Sequence, residues 1–439
     1  MKQFFKSVVV RVLTFEARLV LQRHKPKIVA VTGTVGKTTA KDAIYEMLAQ
    51  FFYVRKSEKS FNTEIGVPLA ILGLSNAWSN PFLWMRNLFA GAFIALCSRE
   101  YPRWLVLEVG ADAPGDIRRI THWLAPDVAV LTRLAEVPVH IEFFPSVEAL
   151  VLEKGALVEA LLPGGLLVLN GDDREVLFMK ARAPGRRCLI FGSGESAAVR
   201  ASHYAVFYDE EEGGGAPAGV TFRVNALGNS LPIRISGALG RQLMPPVLAA
   251  FAVGIGEGLN LARIAEAFCN FAPPPGRMRL IRGKRETCLI DDTYNASPVA
   301  MSEALQTLGE LKTAGRKIAV LGDMLELGKY SDAEHERAGT LAASSCDILC
   351  TVGLRARQIA EGARASRMDA SQILSYEESA RAGAELEPML ERGDIVLVKG
   401  SARMRMEQIV YALMAEPECA KELLVRQEKE WTKRSCLAP

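Results

Sequence analysis

Along the first half of the chain, short apolar runs recur at Ile28–Val31, Trp104–Glu108, Val128–Leu131 and Leu166–Leu169, separated by stretches long enough for helices. Apolar runs of this length read as strands buried on both faces. Their alternation with helical stretches predicts a parallel sheet with helices on both sides. The first run leads directly into Thr32-Gly33-Thr34-Val35-Gly36-Lys37-Thr38-Thr39 and then a helix-compatible stretch through Leu48. Strand, glycine loop and helix in that order form the setting of a phosphate-binding loop. Between Ala197 and Ile235 the pattern changes to short alternating strands around an acidic, glycine-rich tip, Asp209–Gly215, expected to be a solvated hairpin loop. A helical stretch, Val247–Phe271, then reaches Pro273-Pro274-Pro275-Gly276, which marks a domain boundary. Beyond it, strands are predicted at Cys288–Ile290, Lys317–Leu321, Ile348–Val352 and Ile395–Val398, with helical segments between them. The expected class is α/β: a P-loop-type, doubly wound central ATPase domain over 26–273 and a smaller Rossmann-like domain over 274–439, preceded by a helix over 1–25.

That leading helix is expected to be amphipathic. Phe5, Val8, Val12, Phe15 and Leu19 fall on one stripe, and Arg11, Thr14, Arg18 and Gln22 on the opposite face. Charges recur too often for the roughly 20 apolar residues of a membrane span, and no small-residue cleavage site follows. A second apolar stretch, Pro81–Cys97, carries only Arg86 and is also short for a span. Packing of the two segments on each other or on the core is the expectation, with membrane-surface contact as the alternative.

Composition narrows the picture in two ways. A formal charge of +3 on 439 residues, without a basic run interleaved with aromatics, gives no footprint for nucleic acid. The eight cysteines are dispersed and contain no CxxC pair, as expected of reduced thiols in the cytoplasm. Cys346 and Cys350 have no nearby partners to complete a zinc set.

The chemistry concentrates at strand ends. In Gly33–Thr39 the glycines let backbone N–H groups close on phosphate oxygens, Lys37 meets the β/γ charge, and the Thr38 hydroxyl is placed to ligate magnesium. Val31 stands where the full P-loop pattern has its first glycine. Glu108 ends an apolar strand and is followed by Val109-Gly110-Ala111-Asp112, a position that faces the ligand crevice of a parallel sheet. His140 and Lys154, read alone, are an ordinary histidine and a solvated lysine.

Taken together, these segments resemble the Mur ligase family from about Lys27 almost to the C-terminus. TGTVGKTT resembles its nucleotide loop, and SFNTEIGVP (Ser60–Pro68), EVGADAPGDI, VHIEFF and LNGDD (Leu169–Asp173) resemble further motifs. IDDTYNASPVAM (Ile290–Met301), VLGDMLELG (Val320–Gly328) followed by His335, and VLVKGSARMRME (Val396–Glu407) are similar to the MurF type, which adds D-alanyl-D-alanine to a UDP-muramoyl-tripeptide. The resemblance implies an ATP-dependent, amide-forming ligase of peptidoglycan precursor synthesis using two magnesium ions. It is implied to be a monomer in the cytoplasm, with the inner face of the membrane as a further location. It assigns Thr38 and Glu108 to one magnesium. His140 and Lys154, the latter matching a lysine that becomes carbamylated, are assigned to the other. Gly33, Thr34, Gly36, Lys37, Thr38 and Thr39 would cradle phosphate, and Arg277, Asp291 or Asp292 would reach phosphate and ribose. Asn295, Asp323, Glu326, Lys399, Ser401 and Arg403 would line the acceptor side.

Two departures accompany the resemblance. Fewer than about thirty residues precede the nucleotide loop, so the family's N-terminal UDP-sugar domain is not expected, and Ala77–Tyr101 is an apolar insertion. In Gly240–Ala250, Gln242, Leu243 and Pro246 stand where the family has His-Asn and a further Asn for adenine. A different carboxylate substrate, including a lipid-linked one, and a non-catalytic nucleotide-binding partner therefore stay open as readings.

Overall fold

The computed structural model describes residues 2–58, 61–78, 80–209, 215–428 and 431, with side chains from Ser7 onward. The Phe5 side chain, Ser60, the tip residues 210–214 and Cys436 lie outside the described residues.

The first body is built on a nine-stranded sheet in the order β2 (Val54–Lys56), β3 (Trp104–Glu108), β1 (Lys27–Thr32), β4 (Val128–Leu131), β5 (Leu166–Asn170), β6 (Arg187–Gly192), β7 (Val199–Tyr208), β8 (Pro217–Ala226) and β9 (Asn229–Ser236). Pairing is parallel through β7 and antiparallel from there on. Strand alternation sorts the side chains into two cores. Val29, Val31, Val106, Val128 and Val130 enter one, while Ile28, Ala30, Leu105, Leu107, Ala129 and Leu131 enter the other. The second body is a six-stranded sheet in the order β10 (Arg279–Arg282), β11 (Cys288–Asp292), β15 (Ile395–Lys399), β12 (Lys317–Gly322), β13 (Ile348–Val352) and β14 (Ile373–Tyr376). It is parallel except for β10. The α/β class with doubly wound sheets is therefore observed.

Several details differ from the sequence reading. The strands of 197–235 are ten, ten and eight residues long, longer than the short strands expected, and they extend the central sheet. The 247–271 helix is two helices, Met244–Gly256 and Leu261–Glu266. Gly258 takes a left-handed conformation (φ 72°) between them, and the Asn260 side chain caps the second by accepting from Arg263 N–H. The two bodies are stitched main chain to main chain: Leu239 N–H donates to Met278 C=O at 3.0 Å, and Leu280 N–H to Gly237 C=O at 2.8 Å.

Helix α1 (Lys2–His24) packs on α3 (Gly66–Leu72) and α4 (Pro81–Cys97), with α2 (Lys37–Ala49) following the glycine loop. Its buried stripe is Val9, Leu13, Ala17 and Val20, whereas Val8 and Phe15 of the anticipated stripe are exposed. The sequence places apolar residues around most of α1, so its partners select the buried face. From α4, Trp84, Asn87, Gly91 and Ala95 turn inward. Trp84 Nε1 donates to Trp78 C=O (2.9 Å), Asn87 Nδ2 to Ser75 C=O (2.8 Å), and Arg23 of α1 to Ala95 C=O (3.0 Å).

Glu16 is buried in this seam against Gly91, and its Oε2 has no hydrogen-bond partner. Burial pushes its carboxyl up from 4.5 to about 7. The folded-state value lies above the unfolded one, so the stability cost of ionisation is absent at low pH, grows as pH rises between those two values, and is complete above the higher. Glu16→Gln is expected to raise the thermal midpoint clearly near pH 8, by the equivalent of about 2 kcal/mol, and only slightly near pH 5. Melting curves of both proteins at the two pH values check this, and a parallel pH response would count against it.

Candidate active site

β1 lies between β3 and β4, so the chain leaves its C-terminal end at the point where the strand order reverses, and a crevice opens there. Val31 is a fully buried, paired strand residue, and the loop begins only at Gly33; this is why a glycine at position 31 is dispensable. Gly33 itself has φ 150°, and a Cβ there would stand 2.0 Å from Thr132 Oγ1. Gly36, left-handed at φ 83°, caps α2 and turns the helix N-terminus toward the crevice. The register of β1 on β3 sets Glu108 level with Val31. As a result, Thr38 Oγ1 donates to Glu108 Oε2 at 2.9 Å and Asn62 Nδ2 to Oε1 at 3.0 Å. Burial pulls the Lys37 ammonium below its ordinary value, with Glu108 opposing.

A second group faces this one. His140 precedes a short 3₁₀ turn in a left-handed conformation (φ 72°), and Glu326 of the second body is left-handed too (φ 66°). His140 Nδ1 lies 2.5 Å from Glu326 Oε2, and its Nε2 lies 3.7 Å from Asp112 Oδ1. Two non-glycine residues in this region facing one another mark a place where the surrounding structure holds strain. Lys154 is buried on the helix Val147–Glu159 and is pulled down to about 7, first by burial and then by the Lys37 charge. Its neighbour Glu153 is occupied elsewhere, accepting from Ile117 N–H (2.7 Å) and Arg118 N–H (3.1 Å). Among the described residues no three His, Cys, Asp or Glu side chains converge as a ready metal cluster.

From the second body, buried Lys399 Nζ reaches Asp292 Oδ2 at 2.5 Å and Asn295 C=O at 3.1 Å. Arg277 Nη2 lies 3.5 Å from Thr38 Oγ1, its guanidinium sits 4.0 Å from the Tyr294 ring centre, and its buried Nε has no partner. One cavity of ≈ 310 Å³ is lined by Gly33, Thr34, Gly36, Lys37, Thr38 and Thr39 from the loop, by Glu108, His140 and Lys154, and by Arg277, Asp292, Asn295 and Lys399.

Five anticipated residues, Asp291, Asp323, Glu326, Ser401 and Arg403, do not line it. Asp291, one residue out of phase with Asp292 on β11, is fully buried; it accepts from Gly276 N–H (3.1 Å), Thr293 N–H (3.1 Å) and the Thr293 hydroxyl (2.6 Å). Asp323 accepts from Ala356 N–H (2.7 Å) and Ser401 from Leu325 N–H (2.8 Å). With His335, whose Nε2 accepts from Met324 N–H (2.9 Å), they hold the loop that presents Glu326. Arg403 is exposed, 3.9 Å from Glu326. Sequence reasoning gave no role to Asn62, although it stands in the quoted SFNTEIGVP segment. It also missed Asp112, Tyr294 and Glu303, the last pairing with Arg133 across the bodies at 2.6 Å.

On the base side, Gln242 and Leu243 line the cavity, and Gln242 Oε1 is buried without a partner. Pro245 and Pro246 fall in the first turn of Met244–Gly256, where a missing N–H costs nothing. Four cationic side chains around a helix N-terminus, with a carboxylate beside a threonine hydroxyl, suit a polyphosphate and its counter-ion.

Comparisons with known proteins match both bodies of the chain. The Mur ligase middle domain matches residues 31–83 and 91–254, the two stretches being separated within α4. The Mur ligase glutamate ligase domain matches 276–402. The UDP-N-acetylmuramoyl-tripeptide–D-alanyl-D-alanine ligase of Bacillus subtilis is 28% identical over 402 residues, covering 91% of this chain and 79% of that protein. Its counterpart from Escherichia coli is 27% identical over 409 residues, covering 92% and 80%. MurF from Thermotoga maritima, solved in complex with ADP, superposes with a TM-score of 0.74 at 25% identity, covering 93% of this chain and 84% of that one. MurF from Acinetobacter baumannii superposes at 0.73 and 23% identity, covering 92% and 79%, a likeness of fold. With two domain models in sequence order meeting at the proline linker, and the cavity formed where their two bodies face each other, the chain belongs to the Mur ligase family.

Proposed function

We propose that this chain is an ATP-dependent amide ligase of peptidoglycan precursor synthesis, joining D-alanyl-D-alanine to the terminal carboxylate of a muramoyl-tripeptide in the cytoplasm, at the inner face of the membrane. Residues 26–273 form the nucleotide-binding domain in this reading and 274–439 the domain that closes on it. The observation that carries it is the Thr38–Glu108 contact at the mouth of the glycine loop, opposite Arg277 and Lys399 of the second body.

A buried hydroxyl and carboxylate form an oxygen donor pair of the kind magnesium prefers, so Thr38 and Glu108 fit one ion. Bound there, magnesium would neutralise β/γ-phosphate charge. His140 and Lys154 do not fit a second ion while Lys154 is an ammonium. They fit once its neutral amine adds carbon dioxide, forming an N–C bond and releasing one proton, which replaces a cation with an anionic oxygen donor. Lowering of Lys154 to about 7 favours the amine that reaction requires.

In the reaction, the loop N–H groups and Lys37 hold the γ-phosphate while the substrate carboxylate oxygen attacks it and ADP leaves. The neutral amine of the dipeptide then attacks the acyl phosphate carbon, the C–N bond forms, and phosphate departs with the electrons of the broken C–O bond and takes up the proton that the nitrogen loses. Arg277 and Lys399 meet the phosphate charge from the second body, and the His140–Glu326 pair keeps the two bodies together over the labile intermediate, excluding water.

The test is phosphate release from ATP with UDP-muramoyl-tripeptide, with and without D-alanyl-D-alanine. Release that needs the dipeptide and disappears in Lys37→Ala is expected. Release independent of the dipeptide, or none, would overturn the substrate assignment.

A further inference from the structure

Among the described residues, the outward face of α4 is an apolar ridge without a partner. Phe82, Met85, Phe89, Phe93 and Leu96 recur at helical spacing directly opposite the buried Trp84, Asn87, Gly91 and Ala95. Phe82, Phe89, Leu96 and Phe93 are 77%, 72%, 69% and 64% exposed. A soluble helix has no reason to keep three phenylalanines in water, and patches of this kind mark contact sites.

The charges on the ridge's own helix and just past it are positive, Arg86 of α4 and Arg99 both being exposed. On α1, the exposed Arg11 and Arg18 line a separate groove with Glu64 and Arg119. The only acid in either helix, Glu16, is buried in the seam between them, and the nearest acid along the chain, Glu100, follows Arg99 beyond the helix. An anionic surface complements Arg86 and Arg99, and the phenylalanines of the ridge suit the headgroup–acyl boundary of a bilayer. Among the described residues no helix is long and apolar enough to cross a membrane. A second copy fits poorly. It would set Arg86 and Arg99 against the same arginines of its partner, and like charges facing one another oppose such a dimer.

We propose that this face docks on an anionic lipid surface, with α4 lying along the membrane and α1 behind it. Hydrogen bonds from Asn87, Trp84 and Arg23 fix α4 to its neighbours, so the ridge is presented as a rigid element and docking orders no further backbone. The proposal is independent of which carboxylate the enzyme activates.

The experiment is co-sedimentation of the full chain with phosphatidylglycerol-containing vesicles and with pure phosphatidylcholine vesicles, at low and high salt. The native protein is expected to pellet with the anionic vesicles and to lose about tenfold or more in affinity at high salt or on phosphatidylcholine. Phe82→Ser/Phe89→Ser/Phe93→Ser, all on exposed positions, is expected to weaken binding about tenfold or more, with dipeptide-dependent phosphate release on soluble substrates unchanged. Arg86→Glu/Arg99→Glu is expected to weaken binding to the anionic vesicles alone. Absence of native pelleting, or equal pelleting of the serine variant, would overturn the proposal. A native dimer that the serine variant converts to monomer without lipid would assign the face to a second copy instead.

Discussion

Lys154→Ala is expected to lower dipeptide-dependent phosphate release by about 10³-fold, the scale of loss when a preorganised charged group is removed from a phosphoryl-transfer site. The decisive comparison is Lys154→Arg. It keeps the cation but offers no amine for carbon dioxide, and it is expected to be as inactive as the alanine variant. The ¹³C spectrum of native protein equilibrated with ¹³C-bicarbonate should contain a carbamate resonance that both variants lack. Because burial and Lys37 pull the lysine to about 7, activity should fall as pH drops through that value and the amine protonates. An arginine variant with near-native turnover would rule out the carbamate.

The second large effect is expected at Glu108. Glu108→Gln preserves the shape of the strand end and can keep a hydrogen bond to the Thr38 hydroxyl, yet removes the anion that faces it. Turnover is expected to drop by about 10²–10³-fold, and the magnesium concentration for half-maximal activity to rise about tenfold or more. Magnesium titration of the native and variant enzymes separates this from a folding defect, since a misfolded protein would lose amplitude without shifting its midpoint. An unchanged midpoint would place the ion elsewhere.

Much of this site was legible because its parts are held by local rules. A glycine loop between a buried strand and a helix has few other uses, and a carboxylate at the end of an apolar strand must leave the sheet at its rim. What stayed hidden depends on phase and on distant partners. Asp291 and Asp292 are equivalent as text; strand alternation sends one to the linker and the other to the cavity. The buried face of α1 could not be chosen from a helix with valines on several sides, and it is set by α3 and α4. The edge strands β10 and β14, with sequences RLIR and ILSY, lack the apolar continuity that announced the central strands, because an edge is half in water. Glu303 carries no sequence signal at all: its partner Arg133 is 170 positions away.

The stitch between residues 237–239 and 278–280 bears on how the family's architecture drifts. A joint made of two peptide–peptide hydrogen bonds asks nothing of the side chains at those positions beyond an accessible N–H. The contacts farther out, Arg133 with Glu303 and His140 with Glu326, are all side chain and fail with a single substitution. Substitutions can therefore loosen or tighten these outer contacts one at a time, while the main-chain joint between the two bodies is left as it is.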